Sequence, residues 1–255
     1  MWLNRVKNFF LDLFFPKKCL GCGQPDTYLC RDCFTRLVTR QDKIEFSPNN
    51  TCFFCGKITW QGKICINCAK ENGLDRLIAA TEYKNPLIRE IIKAFKYHYA
   101  KELASPLSKL LIKSLEANST ISLEVAEGDR STIIVPVPLY KYRLHYRGFN
   151  QAELLAKEVA DYFNLPIEHN ILKRRIFTTP QAKIKDTEKR RTNLKEVFEI
   201  GPEYSIRGTC PELVEGKTII LIDDVCTTGA TLVEAAKILK ESGAKEVWGL
   251  VVAKG

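Results

Sequence analysis

The sequence predicts a doubly wound α/β domain with a mainly parallel sheet, preceded by a small cysteine-rich metal module. Three observations carry this. Eight of the ten cysteines lie between positions 19 and 68. Beyond them, apolar β-type runs alternate with helical patterns, as a sheet covered on both faces requires. The clearest buried run, Lys217 to Ile222, leads into Asp223-Asp224, a polar turn and a helix. The chain therefore divides near residue 75, into a module over 1–75 and an α/β domain over 76–255.

In chain order, the start from Met1 to Phe15 is apolar but interrupted by Asn4, Arg5, Lys7, Asn8 and Asp12. It has neither a continuous apolar run nor a small-residue cleavage site, so a secretion signal and a membrane span are not expected, and the cytoplasm is. Trp2, Leu3, Val6, Phe9, Phe10, Leu13 and Phe14 suit a short amphipathic helix that covers the module, or one that lies on a membrane or partner.

The cysteines form four pairs, Cys19/Cys22, Cys30/Cys33, Cys52/Cys55 and Cys65/Cys68, each with a two-residue gap. Such a gap lets both sulfurs face one ion, and two knuckles on a short hairpin complete a tetrahedral four-thiolate zinc site. Local pairing is the simplest arrangement, and spacing leaves an interleaved one open. Redox dithiol chemistry is disfavoured because no βαβ setting surrounds the pairs. Two closed four-thiolate sites have no open position for water, so their role is structural.

In the second part, Leu77 to Tyr83 is expected as a strand, Pro86 to Tyr97 as a helix and Lys101 to Leu115 as another. Thr132 to Pro136 is a buried strand ending in Val137-Pro138. Asn150 to Phe163 is a helix with Ala152, Leu155, Ala156, Val159 and Phe163 on one face. The helix after Asp223-Asp224 turns Leu232, Ala235, Ala236 and Leu239 inward, and Glu246 to Val252 closes the sheet. Residues 201–216, with Cys210 and Pro211, have no assigned role.

Net charge is +9, from 39 Lys plus Arg against 30 Asp plus Glu. Eight thiolates holding two Zn²⁺ would reduce this to about +5. The excess favours phosphate-bearing partners, and it is concentrated. Lys141, Arg143 and Arg147 alternate with Tyr140, Tyr142 and Tyr146 in a loop after the Val137-Pro138 strand end. Cations hold phosphates while aromatic faces stack bases, a combination used for single-stranded nucleic acid. The same loop could hold a pyrophosphate on Arg147 and Gly148, or be a solvated loop whose tyrosines pack inward. Leu172 to Lys195 carries nine Lys or Arg, including Arg174, Arg175, Arg190 and Arg191, against Asp186 and Glu188. Around Pro180 it is expected to be a mobile lid.

Asp223-Asp224-Val225-Cys226-Thr227-Thr228-Gly229-Ala230-Thr231 is the most informative stretch. Two carboxylates stand at a strand's C-terminal edge, where open α/β sheets bind ligands. Helix-start amides and the hydroxyls of Thr227, Thr228 and Thr231 make a phosphate cradle. A ribose 5-phosphate offers hydroxyls to the first and phosphate to the second. Cys226 is expected to be buried packing.

This stretch resembles the phosphoribosyl pyrophosphate (PRPP) loop of type I phosphoribosyltransferases. The resemblance implies that Asp223 and Asp224 bind ribose hydroxyls, directly or beside Mg²⁺, and that Thr227, Thr228, Gly229, Ala230 and Thr231 hold the 5-phosphate. With the cysteine knuckles, Arg147-Gly148-Phe149-Asn150-Gln151, Thr179-Pro180-Gln181 and Arg191-Thr192-Asn193-Leu194, the order of motifs is similar to that of the ComF competence-protein family, which includes GntX-like proteins. This implies a type I phosphoribosyltransferase fold, Arg147 and Gly148 in a pyrophosphate loop, Arg191 in the flexible loop, and Lys96-Tyr97 near the ligand or a helix end. It further implies single-stranded DNA handling in natural transformation, with the DNA-uptake machinery as a possible partner. An active transferase with an unknown acceptor, in which Asp223, Asp224 and Arg191 are catalytic, is the alternative. A sensor that binds PRPP without turnover is a third reading. Glutamine-dependent amide transfer is not expected, because a cysteine module stands where a glutamine-hydrolysing domain would be.

Overall fold

The structure is a computed structural model, which describes residues 17–43, 51–98, 100–117, 131–175, 197–201 and 213–255. Four parallel strands form its centre: β1 (Arg76–Glu82), β2 (Thr132–Pro136), β5 (Thr218–Cys226) and β6 (Glu246–Lys254), in spatial order β1-β6-β5-β2. A short antiparallel pair, β3 (Leu172–Arg174) and β4 (Phe198–Ile200), stands apart from this sheet. The helices are α1 (Arg31–Lys43), α2 (Ile66–Asn72), α3 (Pro86–Tyr97), α4 (Ala104–Glu116), α5 (Lys141–Arg147), α6 (Gln151–Phe163) and α7 (Ala230–Glu241).

Side chains alternate across each strand, so the sheet has two apolar faces. Ile220 and Ile222 of β5 join Ile134, Trp248 and Leu250 in a core with Phe95 of α3, Leu107 and Leu111 of α4, and Leu155 and Val159 of α6. Ile219 and Leu221 face the other way, with Ile133, Val135, Val247 and Val251, against Leu232, Ala236 and Leu239 of α7. Each fully buried Leu or Ile stabilises the fold by about 1.5–3 kcal/mol.

Capping chemistry sets two helix starts. Asn85 Oδ1 accepts from the backbone N–H groups of Leu87 and Ile88, and Pro86 occupies the first turn of α3. Asn150 Oδ1 accepts from Ala152 N–H at 3.1 Å and starts α6.

The cysteine module contributes to both cores. Leu37 and Val38 of α1 join the first, while Cys52, Ile64 and Leu74 join the second. The second knuckle pair is also tied to the sheet edge: Leu77 N–H donates to Gly62 O at 2.8 Å and Ile64 N–H to Asp75 O at 2.8 Å. Close approach explains Gly62, with φ of 73°, because a Cβ there would lie 2.6 Å from Leu77 O.

Several boundaries differ from expectation. The first strand covers 76–82 rather than 77–83, and Lys101–Leu103 is a 3₁₀ turn that precedes α4. β5 continues through Asp223, Asp224 and Val225 to Cys226, pairing Asp223 with Val251 and Val225 with Ala253. The aspartates therefore sit inside a hydrogen-bonded ladder that runs four residues beyond Ile222. β6 likewise runs on to Lys254. The segment read as a basic aromatic loop contains helix α5, closed by Gly148 in the left-handed conformation at φ 72°. No residue of α5 is buried, so it lacks the apolar face by which helices are read. The amphipathic start, most of the basic run at 172–195, and Cys210 and Pro211 lie outside the described residues.

Candidate functional site

The two cysteine clusters pair locally: Cys19, Cys22, Cys30 and Cys33 in one, Cys52, Cys55, Cys65 and Cys68 in the other. Within each, all four sulfurs lie within 4.8 Å of one another. Cys22 and Cys30 sulfurs are 3.7 Å apart, and those of Cys55 and Cys65 are 3.5 Å apart. A tetrahedron with Zn–S bonds of about 2.3 Å has edges of roughly 3.8 Å, so both clusters fit zinc. Each begins with a knuckle turned by a left-handed glycine: Gly23 N–H donates to Cys19 O, and Gly56 N–H to Cys52 O. Only the first pair of each cluster lies on a tight turn; the second pair opens a helix, α1 or α2.

The aspartates stand at the C-terminal edge of the sheet. Asp223 shares its sheet face with Leu221, and Asp224 with Ile222. Asp223 Oδ1 accepts from Asp224 N–H at 2.8 Å, which fixes its orientation. Burial, and then the adjacent Asp224 carboxylate, raise the Asp223 carboxyl to about 7. Asp224, only 8% exposed at its side chain, is ion-paired: Lys96 Nζ lies 2.8 Å from its Oδ1. Lys96 arrives from the last turn of α3.

Helix α5 presents two stripes, because residues four apart share a face. Tyr142 and Tyr146 are exposed, at 65% and 64%. Arg143 and Arg147 are partly buried. Burial, then Arg147, lower the pKa of the Arg143 guanidinium, while Tyr97, Asp223 and Asp224 act in the opposite sense. Burial, then Arg143, bring Arg174 of β3 down to about 10, against the pull of Asp223. The site thus gathers Lys96, Arg143 and Arg174 around two carboxylates, with Arg147 beside Arg143.

The motif Arg147 to Gln151 divides its labour. The guanidinium of Arg147 lies over the Tyr97 ring, 5.2 Å from its centroid, and donates to Gln151 Oε1 at 3.1 Å. Gly148 ends α5, and Phe149 packs on Phe95 with ring centroids 5.8 Å apart. Asn150 Nδ2 donates to Val137 O, and Gln151 Nε2 donates to Phe95 O. Of the side chains in this motif only Arg147 offers a ligand group; those of Phe149, Asn150 and Gln151 lock α3, α5 and α6 together.

After Cys226 the chain turns through exposed Thr227 and Thr228 to Gly229, the N-cap of α7 with φ of 77°. Ala230 and Thr231 form the first turn of that helix. A Cβ on Gly229 would meet Phe53 at 3.0 Å and Phe54 at 3.2 Å. Both rings come from the Cys52–Cys55 knuckle, so the second zinc cluster forms one wall of the turn. Cys226 is buried, which pushes its thiol up to about 12, and it is no nucleophile there.

Of the other basic residues singled out in the sequence, Lys141 is exposed on α5, and Arg175 Nε makes a surface ion pair with Glu199 at 3.2 Å. Arg190 and Arg191 lie outside the described residues. Sequence reasoning placed Lys96 only near a ligand or helix end, and missed Phe53 and Phe54. A lysine in the last turn of α3 is a weak signal, and ring contacts across about 175 residues leave none.

Among known proteins, residues 150–254 match the phosphoribosyl transferase domain. The chain is 32% identical to competence protein F of Haemophilus influenzae over 249 residues, 93% of this chain and 97% of that one. It is 31% identical to DNA utilization protein YhgH of Escherichia coli K12 over 248 residues, 93% and 98% respectively. Competence protein ComFC of Bacillus subtilis is 28% identical over 226 residues, 86% and 81%.

Proposed function

We propose, because the chain belongs to the competence protein F family and carries a phosphoribosyl transferase domain, that it handles single-stranded DNA while retaining a ribose phosphate site. The observation that carries this is the gathering of Lys96, Arg143 and Arg174 around Asp223 and Asp224, with Arg147 next to Arg143 and the exposed tyrosines of α5 beside them.

In this reading Asp223 and Asp224 accept hydrogen bonds from the ribose hydroxyls. The turn from Thr227 to Thr231 receives the 5-phosphate on backbone N–H groups and hydroxyls. Arg147 and Gly148 face a 1-pyrophosphate, with which Mg²⁺ would enter as part of PRPP. Single-stranded DNA runs along α5, where Lys141, Arg143 and Arg147 meet phosphates and Tyr142 and Tyr146 stack bases. Arg174 and Arg175 extend the basic track, and the sequence adds Arg190 and Arg191 to the cations available for it. The DNA-uptake machinery is the partner class that this role implies.

The test is single-stranded DNA affinity across a salt series. A strongly negative slope of log affinity on log salt is expected, and Arg143→Ala or Arg147→Ala should each reduce it by about 0.7. Replacing Tyr142 and Tyr146 by Ala should weaken binding with the slope unchanged. Affinity that ignores both salt and these substitutions would overturn the nucleic-acid reading.

A further inference from the structure

The carboxylate pair already has a cation of its own. Lys96 Nζ lies 2.8 Å from Asp224 Oδ1, and the two side chains are 21% and 8% exposed. A surface pair such as Lys17–Glu102, at 33% and 45%, is screened by water and contributes little. The Lys96–Asp224 pair is largely withdrawn from solvent, where the attraction is stronger and breaking it leaves a charge without compensation.

Lys96 is also held in place. Phe95, its neighbour in α3, is fully buried between the sheet and Phe149. Gln151 Nε2 donates to Phe95 O, fastening the last helical turn. That turn ends in carbonyl groups that favour a cation. On the other side, Asp223 feels Arg174, and both aspartates feel Arg143. The pair is thus surrounded by fixed positive charge that a divalent ion would have to approach.

We infer that Lys96 is the resident counter-cation of the aspartate pair, so that the site binds a ribose 5-phosphate monoester without a divalent metal. This rests on the ribose phosphate reading above and adds a ligand class and a specificity residue to it. Lys96 holds Asp224 in place through Oδ1, leaving its second oxygen to accept from a ribose hydroxyl. The phosphate is taken by the turn before α7. A diphosphate ligand brings its own metal; a monoester has no need of one.

Calorimetric titration with ribose 5-phosphate tests this, on protein of verified zinc content, with and without millimolar Mg²⁺. The wild type is expected to bind in both buffers, with affinities within about threefold. Lys96→Met, which keeps the stem and removes the charge, should lose about tenfold or more without metal and regain most of it with Mg²⁺. Lys96→Arg should bind as the wild type does in metal-free buffer. Circular dichroism spectra that superimpose would show that the variants fold. Wild-type binding that requires Mg²⁺, or unchanged metal-free binding by Lys96→Met, overturns the inference and leaves the ribose phosphate reading standing. No binding by any of the three proteins in either buffer overturns both.

Discussion

The cysteine module and the sheet solve the same problem with different physics. The sheet buries Ile, Leu and Val on two faces and needs only that its helices cover them. The module has too few apolar residues for a core of its own, and it substitutes two sets of convergent thiolates. Its two clusters also differ from each other. The first touches the sheet domain through Leu37 and Val38 of α1. The second is hydrogen-bonded to β1 and places Phe53 and Phe54 against Gly229, on the turn that would hold a phosphate. A metal site can therefore be structural and still stand one ring away from a ligand.

The largest expected effect separates the two clusters. Structural zinc in four-thiolate sites contributes on the order of 10 kcal/mol to ordering its surroundings. Cys52→Ser should cost one zinc, disorder the second knuckle and abolish ribose phosphate binding. Cys19→Ser should cost one zinc and leave that binding intact. Zinc analysis with calorimetry reads both, and equal loss of binding in the two variants would break the comparison.

Leu111→Ala, at a fully buried position of α4, should cost about 2–5 kcal/mol in denaturant unfolding with both zincs retained. A loss of zinc in that variant would mean that the module depends on the sheet for its clusters. Gly229→Ala is a smaller and sharper probe. Its φ of 77° and the 3.0 Å approach to Phe53 predict a cost of about 1–2 kcal/mol, with weaker phosphate binding. The same substitution at Gly56, which has a positive φ and nothing within 4 Å, should cost stability alone.

The last expected effect is a pH dependence. Asp223 is raised to about 7 from an ordinary carboxylate value, so the folded state binds its proton more tightly than the unfolded one. Its contribution to stability is complete below the ordinary value, near pH 4, and is lost as pH rises through about 7. Ionised Asp223 is the better acceptor for a ribose hydroxyl, so affinity should move the other way and rise across the same range. Asp223→Asn should flatten both profiles.

How legible this was in the sequence follows the range of each interaction. The bounds of α3 and β2 were readable because Asn85-Pro86 and the Pro136-Val137-Pro138 run are local signals. The cysteine spacing gave the two clusters, but their pairing is a property of the fold. Helix α5 reads as a loop because Tyr142, Leu144 and Tyr146 are all exposed, so it has no buried apolar face. Asp223 and Asp224 are legible at the strand's C-terminal edge, but its run on to Cys226 depends on parallel pairing to Val251 and Ala253 of β6, which no local signal announces. Lys96 and Asp224 meet across 128 positions, and nothing local announces that contact.

The measurement that tests the account most directly is a titration with PRPP and Mg²⁺, with and without single-stranded DNA, following both binding and pyrophosphate release. Saturable binding without release, together with salt-sensitive DNA binding, is the predicted result. Pyrophosphate release that rises with an added base or amine would contradict it and make the protein a transferase.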